Sequence, residues 1–138
     1  MAALDGILET ALYAEDLDAA AAFYGGLLGL DEIARVAGRH VFFRCGPSVL
    51  LIFNPEATIR PPSPEVALAA PPHGAKGPGH ACFRASPPVL DAWRARLIDK
   101  GVPIETEITW PNGARSLYFR DPAGNSLEIA EPKLWDLG

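Results

Sequence analysis

Three residues of this 138-residue chain stand in extended segments with side chains suited to holding a divalent cation: Glu9, His80 and Glu128. Glu128 lies in Ser126-Leu127-Glu128-Ile129-Ala130, where alternation puts Leu127 and Ile129 on one face and the carboxylate on the other. Glu9 shares a face with Ala11 and Tyr13, and His80 opens the run His80 to Ala85. One imidazole and two carboxylates form an N/O donor set suited to Zn, Ni, Co, Mn or Fe as a single divalent ion. With no thiolate in the set, a structural zinc site is not expected. Such a site is formally neutral, a modest Lewis acid with a basic oxygen to spare. It suits proton abstraction next to a metal-chelated carbonyl, with Glu9 or Glu128 taking the proton.

The elements that must position these groups can be read in order. Ile7 to Ala14 alternates as a strand, and Asp16 or Asp18 can cap a helix carrying Phe23, Tyr24, Leu27 and Leu28 up to Gly29. Val36 to Phe43 and Ser48 to Phe53 read as two strands about the turn Cys45-Gly46-Pro47. Seven prolines between Asn54 and Gly79 exclude a long helix or a central strand, leaving a connector. The first pattern then returns. A strand from His80 precedes a helix over Asp91 to Lys100, ended by Gly101. Extended Val102 to Thr106 and Ile108 to Trp110 follow, then the turn Pro111-Asn112-Gly113 and a strand over Arg115 to Arg120. Asp121-Pro122-Ala123-Gly124 turns the chain into the Glu128 strand.

Each half therefore reads β-α-β-β-β: module 1 at about 5–54, connector 55–78, module 2 at about 79–132 and a tail 133–138. Leu28-Gly29-Leu30 matches Lys100-Gly101-Val102, and Gly46-Pro47-Ser48-Val49-Leu50-Leu51 matches Gly124-Asn125-Ser126-Leu127-Glu128-Ile129. This superposition sets Glu9 opposite His80 and Leu50 opposite Glu128. The expected fold is α+β: two modules forming a curved, cup-like mixed sheet with helices outside, in one domain, since neither half is large enough to bury its sheet alone.

Composition narrows the partners. A net charge of −5 argues against nucleic acid and anionic membranes. No apolar run is long enough to span a bilayer, and no leader-like segment opens the chain. Cys45 and Cys82 make neither a disulfide framework nor a paired metal motif. The expectation is a cytoplasmic protein acting on a small molecule.

The duplicated pattern with Glu9, His80 and Glu128 on first and last strands resembles the vicinal oxygen chelate superfamily of glyoxalases, extradiol dioxygenases and bleomycin-resistance proteins. That resemblance implies a metal site at Glu9, His80 and Glu128, with Leu50 where glyoxalases carry a glutamate, and hence open coordination positions. Leu117 to Gly124 followed by Glu128 also resembles part of the extradiol dioxygenase signature, in which the tyrosine, here Tyr118, contacts substrate. Thr109-Trp110-Pro111 stands where that signature has a histidine, and Glu9 where those enzymes use another. Cys82, Arg84, Leu50, Trp110 and Tyr118 are the expected substrate contacts, Arg84 for an anionic group; His40 and His73 are candidate acids or bases at the cup mouth. The resemblance and an exposed sheet edge imply a homodimer. Three readings follow: a glyoxalase-like lyase or isomerase on a small oxygenated substrate, an extradiol-type dioxygenase, or a non-catalytic drug-binding protein. Retained ligands argue against the last.

Overall fold

The computed structural model describes residues 1–62, 64 and 69–138, and divides into two compact units, Met1–Gly77 and Pro78–Gly138. Part of the expected connector, residues 63 and 65–68, lies outside the described residues. The first unit runs β1 (Glu9–Tyr13), α1 (Leu17–Ala21), β2 (Asp31–Val36), β3 (His40–Cys45) and β4 (Ser48–Phe53). Asp16 starts α1 by accepting the Ala19 amide at 2.9 Å, and the helix widens into a π turn over Ala22–Leu27. The sheet order is β1-β4-β3-β2, with β1 parallel to β4 and the other pairs antiparallel. Val41, Phe43, Leu50 and Ile52 are buried on one face, where Tyr24 lies 5.8 Å from Phe43 between ring centres. Burying each such side chain contributes about 1.5–3 kcal/mol.

The strand expected over Val36 to Phe43 is instead two strands. Gly38, at φ +73°, turns the chain between β2 and β3. β2 escaped the periodicity because it is an edge strand exposed along its whole length, with a register shift between Glu32 and Ala34. The connector folds back on its own unit. Pro55–Thr58 forms a short helix, α2, capped by Asn54, and the His73 amide donates to the Thr58 carbonyl at 3.0 Å.

The second unit repeats the plan as β5 (His80–Arg84), α3 (Pro87–Asp99), β6 (Thr106–Thr109), β7 (Arg115–Arg120) and β8 (Ser126–Ala130), in the order β5-β8-β7-β6. The α3 helix starts four residues before Asp91. Pro87 and Pro88 occupy its first turn, where no amide hydrogen is required. Val102 to Glu105 is not part of the ladder, and β6 begins at Thr106. The expected tail folds into a 3-10 turn over Pro132–Trp135.

The register corrects one superposition. The Ala14 amide donates to the Phe53 carbonyl as the Ala85 amide donates to that of Ala130, and Val49 bonds Leu8 as Ser126 bonds Gly79. Glu9 therefore matches His80, but Glu128 matches Leu51, not Leu50. Leu50 pairs with Phe43 as Leu127 pairs with Phe119, all buried on the apolar face. The turns that precede β4 and β8 differ in length. Two residues separate Cys45 from Ser48, whereas five separate Arg120 from Ser126.

Candidate functional site

The turn ahead of β8 builds the site's frame. Asp121 Oδ1 accepts the Ala123 and Asn125 amides at 3.0 and 2.9 Å, and Gly124 takes φ +90°. Asn125, buried, donates its side-chain amide to Asp121 Oδ2 at 2.9 Å and accepts the Gly79 amide at 2.7 Å. That last bond fixes the residue before His80. The His80 Nδ1 then lies 2.9 Å from the Ser126 carbonyl. A carbonyl only accepts, so Nδ1 carries a hydrogen there and Nε2 is the ring atom turned toward Glu128. Metal-ligating histidines are held in this way.

Nε2 faces Glu128 Oε1 at 3.3 Å. Two acceptors at that distance repel unless a proton or cation is shared between them. Glu128 is 6 % exposed, and its Oε2 has no hydrogen-bond partner. Leaving such an oxygen dry and unpaired costs about 1–3 kcal/mol or more for a charged group. On this face Glu128 is flanked by Cys82 on β5 and Tyr118 on β7. The Cys82 thiol is open to solvent in the single chain yet has protein packed around it. Desolvation and then the Glu128 charge push it up to about 12, so it is no nucleophile. Desolvation, with Glu128 behind it, also raises the Tyr118 hydroxyl, which stays protonated. The His80 and Tyr118 rings stack at 6.4 Å.

Beside Glu128 opens a pocket of about 430 Å³, walled by Trp110, Tyr118, Leu134 and Trp135. Trp110 donates its indole N–H to Ser116 Oγ at 2.8 Å. Arg84 donates to the Leu137 carbonyl at 2.8 Å and thereby ties down the chain end. Trp135 and Asn125 were not legible as site residues. The first sits in a segment read as tail, and the second in a turn where asparagine is commonplace.

In the first unit Glu9 is exposed on β1, paired with Val49, with Ala11 and Tyr13 on the same face. Tyr13 bonds His73 Nδ1 through its hydroxyl at 2.8 Å, and His73 packs on Phe53. His40 stacks on Phe42 with its Nδ1 buried and unpartnered; burial, then Arg39, lowers its pKa. Among the described residues no group of three His, Cys, Asp or Glu side chains is gathered as a ready cation cage. His80 and Glu128 stand together as two such donors, not three. An imidazole nitrogen against a carboxylate whose other oxygen is buried and unpartnered is a donor set that fits a divalent cation. No helix among the described residues is long and apolar enough to cross a membrane.

Two βαβββ units, each with its first strand parallel to its last and an imidazole–carboxylate pair on one sheet, define a glyoxalase-type architecture. A model of the Glyoxalase/Bleomycin resistance protein/Dioxygenase superfamily matches residues 6–129, and the chain belongs to that superfamily. It is similar to the crystal structure of a lactoylglutathione lyase from Agrobacterium tumefaciens, at 45% identity and TM-score 0.91, covering 97% of this chain and 98% of that one. A glyoxalase/bleomycin resistance protein/dioxygenase from Nocardioides matches at 25% identity and TM-score 0.69, covering 95% and 85%. A glyoxalase/dioxygenase from Nostoc punctiforme matches at 25% identity and TM-score 0.64, covering 92% and 90%. A comparison with curated protein sequences found no match.

Proposed function

We propose that the protein is a divalent-metal-dependent lyase or isomerase that moves a proton next to a carbonyl of a small oxygenated substrate. The observation that carries this reading is the buried Glu128 carboxylate, with one oxygen 3.3 Å from Nε2 of His80 and the other unpartnered. His80 and Glu128 would hold the cation. Glu9, the β1 residue equivalent to His80, is proposed as a third ligand, from the same chain or a second copy. A divalent ion bound there would supply a Lewis acid that makes the hydrogen beside a substrate carbonyl more acidic. Glu128 or Glu9 takes the proton through its second oxygen. Tyr118, protonated throughout the neutral range, donates a hydrogen bond beside it. The 45%-identical lactoylglutathione lyase, whose name specifies a 2-hydroxyacyl thioester, supports the same substrate type here.

The test is isotope exchange. Ni²⁺- or Zn²⁺-loaded protein in D₂O should exchange the Cα hydrogen of a 2-hydroxyacyl thioester, followed by NMR, and Glu128→Gln should abolish it. Stoichiometric metal without exchange, together with oxygen uptake on a catechol panel under Fe²⁺, would replace this reading with ring cleavage.

A further inference from the structure

The pocket beside Glu128 is built largely from parts that the metal site does not need. Its outer wall is the 3-10 turn Pro132–Trp135, which brings Leu134 and Trp135 opposite Trp110 and Tyr118. The turn is held in place. Asn112 donates to the Lys133 carbonyl at 2.9 Å, and Arg84 to that of Leu137 at 2.8 Å. Trp135 is nevertheless 74 % exposed, a large apolar surface kept fixed and open. Trp110 spends its one polar hydrogen on Ser116, so the pocket meets only its ring.

Charge is equally informative. Among the described residues no lysine or arginine lines the pocket. In the same unit Arg94 pairs with Glu107, Arg115 with Asp91 and Glu131, and Arg120 with Glu105. Lys133 lies against Gly113 at the rim and is not part of the wall. Arg84, whose expected role was an anionic substrate group, is engaged with the chain end. The wall itself offers a multiply anionic substituent no counter-charge, whereas a flat apolar one finds two indoles and a phenol ring. A volume of about 430 Å³ leaves room for an aryl group as well as the oxygen pair.

Resting on the metal-dependent reading, we propose that the substrate carries an aromatic substituent next to its oxygen pair, held between Trp110 and Trp135, and that the C-terminal turn is the specificity element. The pair to compare is mandelate and lactate. They share the same 2-hydroxy carboxylate and differ only in phenyl against methyl. Calorimetric titration of Zn²⁺-loaded protein should show mandelate binding about tenfold tighter or more, from ring stacking and added apolar burial. Trp135→Ala, at an exposed position that does not endanger folding, should bring the ratio close to one, while metal content stays unchanged. Trp110→Phe should keep a reduced preference.

Equal affinity of the wild type for both acids would overturn the proposal. So would a preference untouched by Trp135→Ala, above all if that variant changes the sedimenting mass, which would assign Trp135 to an interface between copies. Failure of the metal reading looks different. There, chelation by EDTA would leave both affinities unaltered, whatever their ratio.

Discussion

The two modules share a ladder and differ on one side of it. On the apolar face they are near copies: Val41, Phe43, Leu50 and Ile52 in module 1 stand where Leu117, Phe119, Leu127 and Ile129 stand in module 2, all buried. On the opposite face the pairs diverge. Leu51 faces Ala11 and Phe42, whereas its counterpart Glu128 faces Cys82 and Tyr118. Strand alternation separates the two sets, so one face can keep the fold while the other changes chemistry. Module 1 has filled that face with aromatic rings; module 2 has kept a buried carboxylate at a cost in stability.

Exchanging these features between modules tests the contrast. Glu128→Leu copies module 1 and should remove metal binding and lower kcat/KM by at least about a hundredfold. The same variant should leave the metal-free protein more stable by about 1–4 kcal/mol in urea melts, because a buried charge with an unpartnered oxygen is gone. A destabilised metal-free variant would mean that the carboxylate is already satisfied. The reverse graft, Leu51→Glu, buries a carboxylate between Ala11 and Phe42. It should destabilise by about 2–5 kcal/mol unless added Zn²⁺ recovers part of the loss.

Asn125→Ala removes the hold on Gly79 and Asp121, and with it the placement of His80. Metal affinity should fall about 10–100-fold with the ligands intact, read by competition with a chromogenic chelator. An unchanged affinity would show that β5 is placed without the turn. The smallest effect is expected in module 1. His40 has a lowered pKa in the folded chain, so the unfolded chain binds its proton first as pH falls. Its contribution to stability is therefore full above the unfolded pKa of about 6.5 and is lost on going below it. His40→Phe should flatten the loss of stability between about pH 7 and 5. The same slope in both proteins would remove His40 as its source.

How much of this the chain discloses depends on how locally each feature is encoded. The repeat, β5, β7 and β8 follow from alternation and turn residues, and the divergent carboxylate stands out because it interrupts an apolar strand. β2 did not, since an edge strand with no buried face has no period to detect. Matched glycines align Leu50 with Glu128, whereas the register aligns Leu51, because turn length, which fixes register, is not visible in the glycines. Asn125 acts through a hydrogen bond to Gly79, 46 positions away, and Trp135 is placed by a folded-back turn that Asn112 and Arg84 hold, which spacing along the chain does not reveal.

The most direct test is an X-ray absorption spectrum of Co²⁺-loaded protein. The account predicts oxygen-dominated coordination with multiple scattering from one imidazole, lost in His80→Ala. An all-oxygen spectrum without imidazole scattering in the wild type, or one that His80→Ala leaves unchanged, would contradict it.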